Sequence, residues 1–230
     1  MRWTVRTGFS ALACLISALA KDGLLPGDLL FVYPHLDMQD DLERAIATTG
    51  EATVQWLAQQ GFKPSGNETS THVAIVGHSG QDVIQAVPVH GVVHTTLAEF
   101  VAEQPPGTVL FHGRLQSDVA SAAVDVALGQ VGRPYADTFA PPSSDTFYCS
   151  SLVTFAYAQA AGRPACGPNG IFLPLVFHLI FAPWDYWHAY YAKLGYVLED
   201  FANTTGSNPT LLLHSPAVSI RRWPLRSRSK

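Results

Sequence analysis

Tyr148-Cys149-Ser150-Ser151-Leu152-Val153-Thr154-Phe155-Ala156-Tyr157-Ala158-Gln159-Ala160-Ala161-Gly162 contains no proline and no internal glycine, and it ends on glycine. Such a run predicts a helix closed by Gly162. The preceding Gly132-Arg133-Pro134-Tyr135-Ala136-Asp137-Thr138-Phe139-Ala140-Pro141-Pro142-Ser143-Ser144-Asp145 is rich in turn residues, so the helix starts abruptly and Cys149 stands near its N-terminus. Free backbone N–H groups and the positive dipole end at that position favour a thiolate over a thiol, whose ordinary pKa is about 8.5. A thiolate is the useful nucleophile, and the same N–H groups, that of Cys149 first, suit an oxyanion.

Upstream of this helix, residues 117–131 place Val119, Ala122, Ala123, Val126 and Ala127 on one face, which predicts an amphipathic helix ending at Gly129 or Gly132. Leu25-Pro26-Gly27-Asp28 reads as a turn feeding a buried strand at residues 29–33. Three further apolar runs, at residues 72–77, 83–93 and 108–112, read as successive antiparallel strands, with Ser79-Gly80 tight enough for a hairpin. Residues 96–103 read as a short helix before the last of these. Residues 40–60 have a helical rhythm interrupted at Gly50, which predicts one broken helix or two short ones, followed by an exposed loop at residues 63–70. The fold class is α+β, an antiparallel sheet packed against helices.

The chain has 230 residues, 47% hydrophobic and 14% charged, enough to bury a sizeable core in one domain. A formal net charge of -4 with dispersed basic residues leaves no electrostatic footprint for nucleic acid; the basic tail at 221–230 reads as a solvated end. Arg2 and Arg6 before an apolar run from Phe9 to Leu19, with Ala18-Leu19-Ala20, read as a signal peptide over residues 1–20. The mature domain is then 21–230, secreted or extracytoplasmic, with no stable membrane insertion after cleavage, since the run is too short to span a bilayer. Processing would discard Cys14 and leave Cys149 and Cys166, which can either bridge or keep Cys149 free for chemistry. Asn67-Glu68-Thr69 and Asn203-Thr204-Thr205 are glycosylation acceptors. No His-Glu-x-x-His, paired Cys-x-x-Cys, Gly-rich phosphate loop or Gly-x-Ser-x-Gly elbow is present, so neither metal nor nucleotide cofactor is called for.

Amide or ester cleavage by a thiol needs a base near neutrality, and nine histidines are available without spacing to choose among them. Thr71-His72-Val73-Ala74-Ile75-Val76, followed much later by Phe147-Tyr148-Cys149-Ser150-Ser151-Leu152-Val153, resembles the YiiX/YaeF branch of NlpC-type papain-like hydrolases. The order of elements is that of this permuted branch: a Pro-Gly-Asp turn and strand, a strand opening with His, then the Cys helix. Ala45-Ile46, Thr49-Gly50, Gly132-Arg133-Pro134-Tyr135, Tyr190-Tyr191-Ala192-Lys193-Leu194-Gly195 and Gly206-Ser207-Asn208-Pro209 extend the similarity from about Leu24 to Ser219.

The resemblance implies a circularly permuted papain-like fold, Cys149 as nucleophile and His72 as its base. It also implies an orienting third residue on the strand after His72. There the branch usually has Glu and this chain has Gln85, which retains a hydrogen-bond acceptor and loses the charge. A second departure is Ser151, where Glu is frequent. Tyr135 and Tyr148 are candidate substrate-binding hydroxyls. The implied substrate is a peptide, an N-acyl compound or a lipid-like small molecule, hydrolysed through a thioester. The apolar stretch from Ile171 to Trp184 reads as either core or an acyl-chain pocket. Alternatives are a lipid-directed acyl hydrolase or acyltransferase, or a secreted binding module with a degenerate site.

Overall fold

Alternation along the strands explains why they read as continuous apolar runs: both faces of the sheet are covered. In β1 (Leu29–Val32), Leu29 and Phe31 point to one side, and Leu30 and Val32 to the other. The computed structural model describes residues 23–33, 40–115, 118–139, 144–164, 170–172, 183–201, 204 and 206–223. Residues 1–20 expected to form a leader, Cys14 among them, Cys166, Asn203, residues 173–182 of the apolar stretch and the tail from 224 lie outside the described residues.

Six strands form one antiparallel sheet in the order β4-β3-β2-β1-β5-β6. The others are β2 (His72–Val76), β3 (Asp82–Val87), β4 (Gly91–Thr96), β5 (Leu110–Leu115) and β6 (Val218–Trp223). On one face, Leu29, Phe31, Val73, Ile75, Ile84 and Phe111 pack against α3 (Ala120–Leu128) and α4 (Cys149–Ala161), where Leu152, Val153, Ala156 and Tyr157 are buried. On the other, Leu30, Val32, Ala74, Val76 and Val83 meet Leu97 and Phe100 of α2 (Leu97–Glu103). Helix α2 starts on a reciprocal cap, Glu99 N–H donating to Thr96 Oγ1 at 3.1 Å and Thr96 N–H to Glu99 Oε2 at 2.8 Å. Helix α4 ends on Gly162 in the left-handed conformation, φ 60°. A third cluster joins α1 (Asp41–Gln59), α5 (Trp184–Lys193) and α6 (Pro209–Leu213) through Leu57, Trp187, Tyr191 and Leu211.

The structure corrects three expectations. Residues 83–93 form two strands, because Pro88, Val89 and His90 make a tight turn in which Val89 has φ 69°. Residues 41–59 form one helix that runs through Gly50. That glycine serves packing: a Cβ there would stand 2.5 Å from Thr210 Oγ1 of α6. The loop at 63–70 keeps Asn67 exposed yet is tied down, since Ser65 N–H donates to His214 Nδ1 at 3.2 Å and His214 Nε2–H to the Glu68 carbonyl at 2.8 Å. Strand β6 and helix α6 were not foreseen.

The Pro-Gly-Asp turn is an electrostatic anchor. Asp28 is buried and accepts from His112 Nε2 at 2.8 Å, Arg114 Nε at 2.9 Å, Arg114 Nη2 at 2.7 Å and the Leu25 N–H at 2.8 Å. Burial pushes its carboxyl pKa up, but the bonds from Arg114, His112 and Leu25 together outweigh burial and hold it near 2, below the ordinary 3.8. A carboxylate with a depressed folded-state pKa contributes stability that is present above the unfolded value and lost as pH falls through the folded one. The native chain is therefore expected to lose stability between about pH 4 and pH 2, and Asp28→Asn to cost about 2–4 kcal/mol at pH 7 while flattening that acid limb, as read by urea unfolding at several pH values.

Candidate active site

The N-terminal turn of α4 brings Cys149 onto the start of β2. Tyr148 is the N-cap residue, and Ser151 closes the turn by accepting from the Tyr148 N–H at 2.9 Å and donating to the Tyr148 carbonyl at 2.9 Å. Ser151, unassigned from the sequence, is thus a helix-capping residue. Cys149 is a free thiol, 6% exposed, and the backbone N–H of Val73, next to His72 in the chain, faces its sulfur.

Strands β2 and β3 pair at Ile75–Ile84 and Val76–Val83, and beyond those pairs they part. His72 and Gln85 lie at the parted level, where a side-chain bond replaces the ladder: His72 Nε2–H donates to Gln85 Oε1 at 2.7 Å. Gln85 is 3% exposed and held by its strand. An amide oxygen only accepts, so the Nε2 proton is fixed there and Nδ1 keeps its lone pair. The imidazole leans towards α2, its ring centroid 6.4 Å from that of Phe100. His72 and Gln85 are therefore joined, and Cys149 meets β2 one residue further along. Among the described residues no hydrogen bond links the sulfur to the imidazole.

Electrostatics differ from the sequence expectation. Burial dominates at Cys149 and pushes the thiol pKa up to about 11, although N–H groups of Val73, Ser150 and Cys149 itself pull it down. The helix N-terminus is present as foreseen, but its turn is buried against the sheet, and desolvation of the anion outweighs the dipole. Burial likewise lowers the His72 pKa, with the Gln85 bond opposing it. The resting pair is a neutral thiol and a neutral imidazole.

Tyr135 and Tyr148 both lie beside the thiol. Burial, and then the proximity of Cys149, raise the Tyr135 pKa well above its ordinary value. Tyr148 lines a small cavity with Cys149, Ile46, Phe139, Trp187 and Ser207, and its hydroxyl accepts from the Ser207 N–H at 3.1 Å. The cavity offers about 30 Å³, room for a methyl-sized group. Trp187, Ser207 and Asn208 come from the C-terminal third, which bore no chemical pattern in the sequence. Gly206-Ser207-Asn208-Pro209, noted in the sequence only as part of the family resemblance, was the signal for two of them.

With the thiol held near 11, iodoacetamide labelling of Cys149 at pH 7 is expected to be about 100-fold slower in the native protein than in the urea-unfolded chain, and to rise with pH up to about pH 11. A labelling plateau reached below pH 8 would contradict the neutral pair.

A family model described as permuted papain-like amidase enzyme, YaeF/YiiX, C92 family, matches residues 24–219. Among solved structures, the chain is similar to a crystal structure described as the metalloprotein YiiX of Escherichia coli O157:H7, with a TM-score of 0.59 at 18% identity, covering 86% of this chain and 96% of that one. No curated protein matches. Among the described residues, no group of three or more His, Cys, Asp and Glu is placed to hold a metal ion, and no step below is routed through one. With the permuted order of elements, the antiparallel sheet and a match over most of its length, the chain belongs to the YaeF/YiiX family of permuted papain-like amidases.

Proposed function

We propose that this hydrolase-family chain cleaves an amide or ester bond through a thioester on Cys149, with His72 as base and Gln85 as the residue that orients it. The observation that carries the reading is a free thiol at the first turn of α4, set against β2 at Val73, the residue after a histidine whose Nε2 is held by a buried acceptor. The Cys149 sulfur attacks the acyl carbon while its proton passes to His72 Nδ1. The carbonyl π electrons move to oxygen, which the Cys149 N–H receives. Collapse of the adduct expels the leaving group with the proton from His72, and water, deprotonated by His72, releases the acid. The neutral resting pair makes His72 a general base that works during attack rather than the partner of a preformed thiolate. Sulfur and Nδ1 must close on each other once substrate enters; such contacts are commonly long in unliganded sites.

The substrate class that suits this site is a peptide or N-acyl compound whose acyl side is short, given the volume beside Cys149. The leader motif in residues 1–20 supports action outside the cytoplasm, with a mature N-terminus near Lys21; N-terminal sequencing of exported protein tests it. The elevated thiol pKa and the uncharged Gln85 favour one other reading, a binding module on a degenerate site. That reading predicts no acyl-enzyme with any activated ester.

Intact-mass detection of a Cys149 acyl adduct separates the two. Cys149→Ala is expected to abolish the adduct, and His72→Ala to slow its formation at least about 100-fold at pH 7. Gln85→Glu places a carboxylate on the imidazole, which raises the His72 pKa and favours the thiolate–imidazolium pair. Alkylation of Cys149 at pH 7 is then expected to accelerate about tenfold or more. Unchanged Cys149 reactivity in both variants would remove His72 from the mechanism.

A further inference from the structure

Ser207 is 2% exposed, and its backbone is committed on both sides of the nucleophile. Its N–H donates to the hydroxyl of Tyr148, the residue before Cys149, at 3.1 Å. Its carbonyl accepts from Ser150 Oγ, the residue after Cys149, at 3.1 Å. Its own hydroxyl is buried and has no hydrogen-bond partner among the described residues, and Ser207 lines the cavity that Cys149 also lines. The other walls, Ile46, Phe139, Trp187 and Pro209 among them, are largely apolar. A buried hydroxyl without a partner is costly, and such groups are rare in native proteins. In a cavity walled mostly by apolar groups beside Cys149, that hydroxyl is free to donate to an oxygen that a substrate brings.

We infer that Ser207 Oγ–H is the side-chain half of the oxyanion hole, donating to the acyl oxygen opposite the Cys149 N–H. This rests on Cys149 acting as the nucleophile proposed above. When the C–S bond forms, the carbonyl π pair becomes an oxyanion whose charge in this apolar cavity has two donors, one at the helix N-terminus and one held by the flanks of that same turn. The hydroxyl is more useful to that oxyanion than to the neutral carbonyl, which makes Ser207 a catalytic residue. The room beside it suits an acyl group as small as acetyl.

The test compares two reactions of one sulfur in wild type and Ser207→Ala. With p-nitrophenyl acetate, the thiol proton goes to His72, the Sγ–C bond forms, an oxyanion develops, and the C–O bond breaks to release p-nitrophenolate. With iodoacetamide, the sulfur displaces iodide and no oxyanion forms. Ser207→Ala is expected to slow acetylation of Cys149 about 100-fold while leaving alkylation at pH 9 within about twofold. Thermal stability should be equal or higher, because the variant removes a buried hydroxyl that has no partner. Acetylation at the wild-type rate, a parallel fall in alkylation, or a lowered Tm would each assign the hydroxyl a structural role and overturn the inference. Failure of wild-type Cys149 to be acetylated while it is still alkylated would overturn the hydrolase reading and Ser207's role with it.

Discussion

Docking of the first turn of α4 against the start of β2 is the constraint from which the site's properties descend. It sets Cys149 at the sheet with the Val73 N–H facing its sulfur and buries Leu152 and Val153 in the main core behind it. The same contact that positions Cys149 removes water from it. Desolvation then dominates the dipole of the helix, and the thiol remains protonated near neutrality. A cysteine at a helix N-terminus is therefore not by that fact a thiolate; the depth of the turn decides.

The parting of β2 from β3 gives the second half of the arrangement. A fully paired ladder would leave His72 and Gln85 as two residues on a covered face. Pairing stops after Ile75–Ile84, and the imidazole and the amide bond to each other at that level, which fixes the tautomer. Replacing the usual carboxylate by an amide preserves geometry and surrenders charge. Desolvation lowers the pKa of the partly buried His72, and the neutral Gln85 opposes it less than a carboxylate would. The site as a whole is low in charge: neutral thiol, neutral imidazole, neutral amide, and a cavity walled mostly by apolar groups. In such a site the electrostatic work of the proposed reaction falls on N–H and O–H dipoles, which act strongly on charge that develops among apolar walls.

The Asp28 cluster shows the opposite solution elsewhere in the same sheet. There a buried carboxylate keeps its charge, because Arg114, His112 and the Leu25 N–H all converge on it. It ties the turn before β1 to β5, while Tyr157 of α4 donates to the Gly27 carbonyl in that same turn. Charge is retained where it anchors the frame and excluded where chemistry is proposed.

By itself the sequence determined the α+β class, a strand at residues 29–33 that forms over 29–32, the hairpin around Ser79-Gly80, and a helix read from Tyr148 and closed by Gly162. These rest on local signals, namely periodicity, glycine caps and turn residues, which act within a few residues. The permuted order of motifs carried the family. Only the tertiary structure decided the burial of Cys149 and the placing of Ser207 beside it, since both depend on residues distant in the chain. It also decided that Gly50 lies within a continuous helix, because the reason is Thr210, 160 positions away in the chain. Strand β6 escaped notice because it is an edge strand of mixed polarity whose identity comes from pairing with β5.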